Sequence, residues 1–201
     1  MYLTAAAKLA NRRPSTPSGG YYFNEAMKAY EWFINSGLIN SQNVINNGLK
    51  LDTCKNDGLP VFTYNQGILL AGLAEMTWST GDSKYNELAN TIATATISLM
   101  TDSNGILHEA CEASNTCSPD LQQFKGVFGR NIQFLYNRGM VLPDEMKTLY
   151  RSFLQKNADA IWSYDQADNQ LGLVWSGPYT KATVQTQSSA LDAIVGAACV
   201  T

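Results

Sequence analysis

The residues best suited to bind a ligand stand at the start of one unusual helical segment. Tyr64, Asn65 and Gln66 precede residues 68–76, which are apolar or very small on every side apart from a single charge. A helix that is apolar all round is buried all round, so its polar first turn must lie at an edge of the core. Thr63 and Gln66 also have the spacing of a capping box with Thr63 as the N-cap. The alternative is therefore that Gln66 only caps the helix and Tyr64 only packs.

A second polar group stands on a later segment that is otherwise apolar. Gln123, Lys125 and Arg130 occur within residues 119–138, among aliphatic and aromatic side chains at helical spacing. A lysine on a buried helix is rare unless it is paired or faces a wet cavity. The cations either face a polar bore, where they hold a carboxylate or a ligand hydroxyl, or form a structural ion pair with a nearby glutamate.

The two glutamates nearest in sequence, Glu109 and Glu112, flank Cys111 in a loop. Two carboxyl groups can act as general acid and base, and the only histidine of the chain, His108, precedes them. No nucleophile motif accompanies His108, and it lacks partners at metal-ligand spacing. We expect a local structural role for His108, an ion-pairing role for the glutamates, and neither a metal nor a cofactor.

Two further candidates lie towards the end of the chain. Trp175 stands in a loop that leads into the last helical segment, and it either stacks on a ligand or plugs the core. Gln187, in that last segment, is a weaker candidate for the same ligand site. The other three tryptophans lie on or at the ends of helical segments, and we expect them in the core: Trp32, Trp78 and Trp162.

Four cysteines form an even set: Cys54, Cys111, Cys117 and Cys199. The spacing from Cys111 to Cys117 is too wide for the usual zinc pair and suits a small disulfide loop. In that case Cys54 and Cys199 remain for each other, although two other connectivities are equally allowed. An even set of this kind favours an oxidising, secretory setting.

Composition excludes several classes of function. The chain has 201 residues, 45% of them hydrophobic, and a net charge of −3 with its basic residues scattered. It has no basic patch interleaved with aromatics, so we expect no nucleic-acid partner. No apolar run reaches the roughly 18 residues of a membrane span, and no signal peptide is visible. Residues 1–10 are typical of a helix already in progress, which predicts that the domain begins upstream.

Seven helical segments must position these residues. Their predicted bounds are 1–11, 22–36, 64–79, 83–100, 119–138, 143–162 and 184–198. The second, fourth and sixth segments have one apolar stripe each, as outer helices do. The first, third, fifth and seventh are richer in small residues and poorer in charge, as inner helices are. A turn followed by a short apolar piece recurs between outer and inner segments, so a unit of about 60 residues repeats. Stacked units of this kind form solenoids or closed rings.

Three groups of residues resemble glycoside hydrolase family 76, the α-1,6-mannanases and their fungal cell-wall relatives. They are Thr63-Tyr64-Asn65-Gln66-Gly67 with residues 72–75 and 80–82; residues 109–112 with Cys117 and residues 123–131; and residues 187–193. Each group alone is a weak signal, but their combination and order are specific. The likeness covers essentially the whole chain, and the paired cysteines of the second group resemble the fungal branch.

This resemblance implies an all-α fold, the (α/α)6 barrel of inner and outer helix pairs, with about half to two-thirds of the ring present. It implies that residues 1–201 are one domain, the C-terminal part of the barrel. It also implies hydrolysis or transfer at α-1,6-linked mannose with retention of configuration. The residues it places at the substrate are Tyr64, Asn65, Gln66, Gln123, Lys125, Arg130, Trp175 and Gln187.

One departure from the family matters more than the matches. The family's two adjacent catalytic aspartates lie upstream of the region that this chain resembles, and no Asp-Asp pair occurs in its sequence. Retaining hydrolysis needs two carboxyl groups about 5 Å apart across the sugar. We therefore expect the chain alone to be inactive on mannan, and its natural setting to be secreted or anchored at the cell wall or membrane, outside the cell.

Two alternatives remain open at this stage. The chain could be a truncated remnant that binds mannan or mannose-containing glycans without cleaving them, or one that is only structural. Another α/α toroid, such as a terpenoid or lanthionine cyclase, fits less well because the metal-binding clusters of those enzymes are absent from the sequence. An incomplete ring exposes apolar faces of inner helices, so we also expect self-association and binding of hydrophobic dyes.

Overall fold

Seven α-helices form two layers in the computed structural model, which describes residues 1–13, 17–140 and 142–200. They are α1 (Tyr2–Arg12), α2 (Pro17–Asn35), α3 (Thr63–Thr80), α4 (Lys84–Met100), α5 (Phe124–Arg138), α6 (Asp144–Tyr164) and α7 (Val184–Ala198). A 3-10 turn (Leu121–Gln123) precedes α5, and a two-stranded antiparallel hairpin, β1 (Gln166–Ala167) and β2 (Gln170–Leu171), follows α6. None of these helices is both long enough and apolar enough to cross a bilayer.

The predicted alternation of inner and outer helices is confirmed. Helices α1, α3, α5 and α7 pack side by side in that order, and α2, α4 and α6 pack against them from outside. Helix α3 shows the clearest inner character, because twelve of its 18 residues are buried. Two helices differ noticeably from their predicted bounds: α2 begins at Pro17 rather than at residue 22, and α5 begins at Phe124 rather than at residue 119, with the 3-10 turn Leu121–Gln123 before it.

The inner helices run parallel to one another. The Thr4 hydroxyl of α1 donates to the Ile68 carbonyl of α3 at 2.6 Å. Seven residues further along both helices, the Asn11 amide donates to the Glu75 carbonyl at 2.9 Å. Positions along the two helices therefore advance together. The same holds for α5 and α7, where Gly126 lies against Ser189. All four inner helices thus begin at one end of the arc that they form.

Glycines permit the close approach of these helices. A Cβ placed on Gly67 of α3 would lie 2.7 Å from Cα of Phe128 in α5, and one on Gly126 would lie 2.5 Å from Cα of Ser189 in α7. Real side chains do not tolerate such distances to a backbone atom. The inner helices are therefore poor in large residues at these contacts because their backbones pack too closely to accommodate them.

A buried carboxylate joins the C-terminal ends of three inner helices. Glu75 of α3 is fully buried and lies 3.2 Å from an Arg12 nitrogen of α1 and 3.4 Å from an Arg138 nitrogen of α5. The Asn11 side chain also donates to it. Since both arginines stand in the last turns of their helices, they also offset the partial negative charge of the helix ends.

The loops that could carry function lie at the opposite, N-terminal end of the inner helices. The connections from outer to inner helices span residues 36–62, 101–120 and 165–183, whereas α3 joins α4 and α5 joins α6 through short turns. Long loops on a rigid scaffold are the usual place for binding residues. Parallel inner helices therefore gather three long loops and the first turns of α3, α5 and α7 at one face.

The expected capping box at the start of α3 is wrong. Phe62 is the N-cap residue, and Thr63 is already helical. Glu109, from the loop before α5, accepts the Thr63 N–H at 2.9 Å and also the Thr63 hydroxyl. A carboxylate from another part of the chain therefore caps this helix, and Gln66 is free to bind elsewhere.

The expectation that three tryptophans belong to the core is also wrong. Trp32, Trp78 and Trp162 are 60%, 49% and 57% exposed. Trp78 instead stacks on the Arg138 guanidinium, whose carbon lies 3.7 Å from the ring centroid. Only the loop residue Trp175 is enclosed, at 1% exposure.

The cysteines confirm one predicted pairing and contradict the other. Cys111 and Cys117 form a disulfide with their Cα atoms 5.0 Å apart. Cys54 and Cys199 are free and exposed. Cys54 stands in the loop that enters the N-terminal end of α3, whereas Cys199 follows the C-terminal end of α7, a helix of 15 residues. That helix is about 22 Å long, so parallel packing keeps the two thiols beyond disulfide reach.

The close contact between α5 and α7 predicts opposite effects for two neighbouring glycines. We expect Gly126→Ala to destabilise the fold by about 1–3 kcal/mol through overpacking against Ser189. Gly129→Ala is the matched control, because its Cβ would lie 3.7 Å from the nearest atom, Cα of Ala193. There the better helix propensity of alanine should stabilise by up to about 1 kcal/mol. Urea unfolding followed by circular dichroism measures both, and equal effects would contradict the packing described.

Candidate functional site

The structure brings most of the predicted site residues to the N-terminal end of the inner helices. Those in or next to the first turns are Tyr64, Asn65 and Gln66 of α3, Gln123 and Lys125 at the start of α5, and Gln187 of α7. Arg130 lies deeper along α5, and Trp175 is a buried residue of the loop 165–183. We call this end of the arc the mouth.

Aromatic rings form one part of the mouth. The half-buried Tyr64 ring lies 4.1 Å from that of Phe124, centroid to centroid, and Phe62 packs edge-on against Phe124 at 5.5 Å. Neither Phe62 nor Phe124 was predicted as a site residue from the sequence, although each directly adjoins a recognised polar residue. Partly exposed rings of this kind can stack on the apolar face of a flat ligand.

The two amide side chains after Tyr64 have different surroundings. Gln66 is fully buried, and its amide donates to the Ile45 carbonyl at 2.8 Å and accepts the Ile45 N–H at 2.8 Å. Its hydrogen-bonding capacity is thus used to fasten the loop 36–62 to α3. Asn65 is half-buried, and its side-chain nitrogen has no hydrogen-bond partner among the described residues. Together with Tyr64 it lines a cavity of about 700 Å³ between α1, α2 and α3.

Lys125 forms the structural ion pair that was one of the two sequence interpretations. Its ammonium group is enclosed, 2.7 Å from a Glu112 carboxylate oxygen, and donates to the Leu173 carbonyl at 2.8 Å. It also lies 4.5 Å from the centroid of the buried Trp175 ring. Lys125 therefore ties the loops 101–120 and 165–183 to α5, and the buried Trp175 ring of the second loop lies against its ammonium group.

His108 extends this ion pair towards the surface. Its Nδ1 lies 2.8 Å from the second Glu112 oxygen, and its Nε2 lies 3.5 Å from an Asp102 carboxylate oxygen. The hydrogen bond to Glu112 is the main cause that raises the pKa of His108. The histidine thus has the local role expected for it, as a link between two acidic residues of one loop.

The buried carboxyl groups differ in how easily they ionise. Burial opposes ionisation of Glu112, but hydrogen bonding to His108 and the charge of Lys125 together lower its pKa. Burial raises the pKa of Glu109 to about 7 and that of Asp165 to about 7. Burial likewise lowers the pKa of Lys125, against the effect of Glu112. Glu109 and Glu112 are both enclosed and engaged by the protein, so they hold loops in place.

The remaining predicted residues have partners of their own. Arg130 forms a partly exposed ion pair with Asp192 of α7 at 2.8 Å. Gln187 accepts the Leu171 N–H at 2.8 Å, and Gln123 is exposed in the 3-10 turn. Gln122, which sequence reasoning passed over, accepts a hydrogen bond from Thr183 at 2.7 Å and links the start of α5 to the cap of α7.

Stacking and neutral hydrogen bonding are therefore what the mouth offers a ligand. Half-buried aromatic rings and the exposed Gln123 lie there, while the carboxyl groups of Glu109 and Glu112 beneath them are enclosed. The described residues contain no group of three or more side chains that could hold a metal ion. Such a surface suits a neutral, hydroxyl-rich molecule.

Sequence comparison connects this arrangement to characterised proteins. The profile of glycosyl hydrolase family 76 matches residues 1–200. A mannan endo-1,6-alpha-mannosidase of Saccharomyces cerevisiae is 32% identical over 143 residues, which are 69% of this chain and 30% of that protein. The corresponding Eremothecium gossypii protein is 29% identical over 189 residues, 89% of this chain and 41% of that protein. The chain thus spans less than half the length of these relatives.

Solved structures show the same fold. The GH76A alpha-1,6-mannanase from Salegentibacter sp. superposes with a TM-score of 0.79 at 19% identity, covering 90% of this chain and 53% of that one. An inactive variant of it, with two consecutive aspartates replaced by asparagine, is bound to alpha-1,6-mannotriose. Dfg5 from Chaetomium thermophilum, in complex with glucosamine, gives 0.82 at 19% identity, covering 98% of this chain and 49% of that one. The predicted (α/α)6 barrel, with part of its ring present, is confirmed.

The ion pair beneath the mouth predicts a large stability effect for one cation and a small one for another. Lys125→Met leaves Glu112 buried without its lysine partner and should cost about 3–5 kcal/mol of unfolding free energy. Arg130→Met removes a cation from a partly exposed pair and should cost no more than about 1 kcal/mol. Urea unfolding measures both variants, and Lys125→Met/Glu112→Gln should recover part of the loss. If Lys125→Met lowered the unfolding free energy as little as Arg130→Met does, the buried Lys125–Glu112 ion pair would be refuted.

Proposed function

Because this chain belongs to glycosyl hydrolase family 76, we propose that it is the glycan-binding C-terminal part of an (α/α)6 barrel that acts on α-1,6-linked mannan. The reaction of the whole barrel is hydrolysis or transfer with retention of configuration. The curated relatives are named mannan endo-1,6-alpha-mannosidases, which supports this substrate class. The mannotriose complex of the Salegentibacter mannanase variant supports the same type of glycan.

The absence of adjacent aspartates from the chain is the observation that separates glycan binding, proposed for this chain, from catalysis, proposed for another region of the barrel. Replacement of two consecutive aspartates accompanies inactivity in the Salegentibacter protein, and no such pair occurs in these 201 residues. The buried carboxyl groups near the mouth are no substitute, because Glu109 caps α3 and Glu112 pairs with Lys125. The catalytic pair of the barrel therefore belongs to a region outside this sequence.

Binding at the mouth rests on groups that match a sugar. The Tyr64 and Phe124 rings offer a face for the apolar side of a mannose ring, and the Asn65 amide nitrogen, although enclosed, has no hydrogen-bond partner among the described residues and can donate to a sugar hydroxyl that reaches it. Gln123 and Gln187 add amide groups at the starts of α5 and α7. Lys125 and Trp175 act from beneath, by holding the loops that carry this surface, and Arg130 with Asp192 borders it along α5 and α7.

The same proposal includes a location outside the cell, secreted or attached to the wall or membrane. The Cys111–Cys117 disulfide and the fungal relatives support an oxidising compartment. It also includes self-association, because one stripe of α7 is apolar and exposed. Val184, Leu191 and Val195 of this stripe are 83%, 45% and 59% exposed. Stripes of this kind commonly pack against another helix.

A second candidate function is glycan binding without any catalysis, in a remnant of the family. The missing aspartate pair favours it as much as it favours a partial enzyme. The two candidates differ in the coding sequence upstream of Met1. An Asp-Asp pair on an apolar helix there identifies an enzyme, and an in-frame stop codon identifies a binding remnant.

Mannan turnover is the first test. We expect the purified 201-residue chain to release no mannose oligosaccharides from α-1,6-mannan, because it lacks the aspartate pair. Reducing-end analysis against a complete family 76 mannanase measures this. Sustained release of oligosaccharides would show that the catalytic groups lie within this chain.

Glycan binding is the second test. We expect α-1,6-mannotriose to bind at the mouth and Tyr64→Ala to weaken binding by about tenfold, since the ring supplies roughly 0.5–1.5 kcal/mol beyond its buried area. The matched control is Tyr21→Ala, which removes an exposed tyrosine from outer helix α2 and should leave affinity unchanged. Calorimetry or ligand-observed NMR measures the affinities. Equal losses in both variants, or no binding by the unmodified chain at millimolar sugar, would rule out this site.

A further inference from the structure

Asp165 is a buried acid that the glycan-binding surface does not use. It directly follows α6, is fully buried, and neither of its carboxyl oxygens has a hydrogen-bond partner among the described residues. A buried carboxylate without donors is strongly unfavourable in its ionised form, whereas the neutral acid is much less so. This position therefore favours a proton on Asp165.

The carboxyl group of Asp165 supports the hairpin that begins the loop 165–183. The Gly172 N–H donates to the Asp165 carbonyl at 2.9 Å, which closes the hairpin. The carboxyl lies so close to Gly172 that a Cβ there would overlap it. Strand β2 is in turn fastened to α7, because Leu171 donates to Gln187 at 2.8 Å and accepts from the Thr186 hydroxyl at 2.9 Å. A change at Asp165 is therefore transmitted to the mouth.

Two charged groups from other elements face Asp165. They are Lys125 of α5 and Glu112 of the loop 101–120, which attract and repel its charge respectively. The Lys125 ammonium is already bound to Glu112 and to the Leu173 carbonyl. Asp165 therefore cannot gain a full ion pair without displacing Glu112. Glu109 also interacts with Lys125, but Thr63 supplies it with two hydrogen bonds.

We propose that Asp165 is a proton-dependent positioning residue that latches the loop 165–183 onto α5 and α7. When protonated, Asp165 stays enclosed beneath Gly172 and the loop remains docked, with its Trp175 side chain buried. When ionised, it turns towards water, the hairpin loosens, and Trp175 and Gln187 lose their fixed positions. The latch goes beyond glycan binding, since it concerns the order of the loop whatever the mouth holds.

The direction of the pH effect follows from the sign of the shift. Burial raises the pKa of Asp165 from its ordinary 3.8 to about 7 in the docked loop, and an undocked loop returns it towards the ordinary value. The docked form therefore binds the proton more tightly. Its stability relative to the open form is fully present at low pH and is lost as pH rises through about 7.

Trp175 provides a direct reporter of this loop. It is 1% exposed, whereas Trp32, Trp78 and Trp162 are about half exposed. Replacing these three by phenylalanine leaves Trp175 as the single tryptophan of the parent protein for the experiment, and it can be excited selectively over the ten tyrosines. We expect its acrylamide quenching constant to rise several-fold between pH 5.5 and pH 8.5, while far-UV circular dichroism stays constant.

Two carboxyl variants assign the effect to a residue. Asp165→Asn keeps the shape of the neutral acid and should hold the quenching constant low across the whole pH range. Glu109→Gln is the matched control at the other buried acid of raised pKa, and it should retain the pH-dependent rise. A flat profile in the parent, or an unchanged rise in Asp165→Asn, would overturn the proposal. If Asp165 had only a structural role, Asp165→Asn would change the quenching constant at every pH and leave its pH-dependent rise in place.

Hydrogen exchange decides the matter if Asp165→Asn fails to fold. Protection factors, corrected for the intrinsic pH dependence of exchange, are then compared in the unmodified chain for residues 166–175 and for α3. Selective loss of protection in residues 166–175 above pH 7 supports the latch. Uniform loss in both regions, or no loss in either, overturns it.

Discussion

The close parallel packing of the inner helices is the constraint on which the rest of this structure depends. Gly67 and Gly126 let the backbones of α3, α5 and α7 approach until a single added methyl group would collide with the next helix. That contact fixes the register between helices, and the register places all their first turns at one end. The long loops then converge over those turns. The mouth is thus a consequence of helix packing before any of its side chains is considered.

Buried charges secure the two ends of this arc in different ways. At the C-terminal end, Glu75 joins three inner helices through Arg12, Asn11 and Arg138. At the mouth, Lys125 joins α5 to two loops. A buried ion pair adds little net stability compared with an apolar pair, but breaking it is costly. Conformations in which a helix or loop is displaced and the pair is broken are therefore unfavourable. The loops at the mouth are therefore held by groups that need not touch a ligand.

The fold was largely predictable from sequence, and the chemistry of individual residues was not. Helical period located α3, α4, α6 and α7 to within two residues, placed the start of α5 five residues too early, and the contrast between one-sided and small-residue segments identified outer and inner helices. Gln66 resembled a capping residue, yet its amide binds the backbone of Ile45, because the cap comes from Glu109 in a distant loop. Trp32 was expected in the core because it is a tryptophan on a helical segment, yet it is 60% exposed.

Period, cysteine spacing and motif order are local properties, so they were enough to predict the helices, their alternation, the Cys111–Cys117 loop and the membership of the family. Folding fixes which polar groups have partners within the protein and which do not. Gln66 and Lys125 are engaged by residues from distant loops, whereas the enclosed Asn65 amide nitrogen has no hydrogen-bond partner among the described residues. The physical reason is that a polar group's role depends on the partners that reach it. For buried groups, those partners come from parts of the chain that only folding brings together.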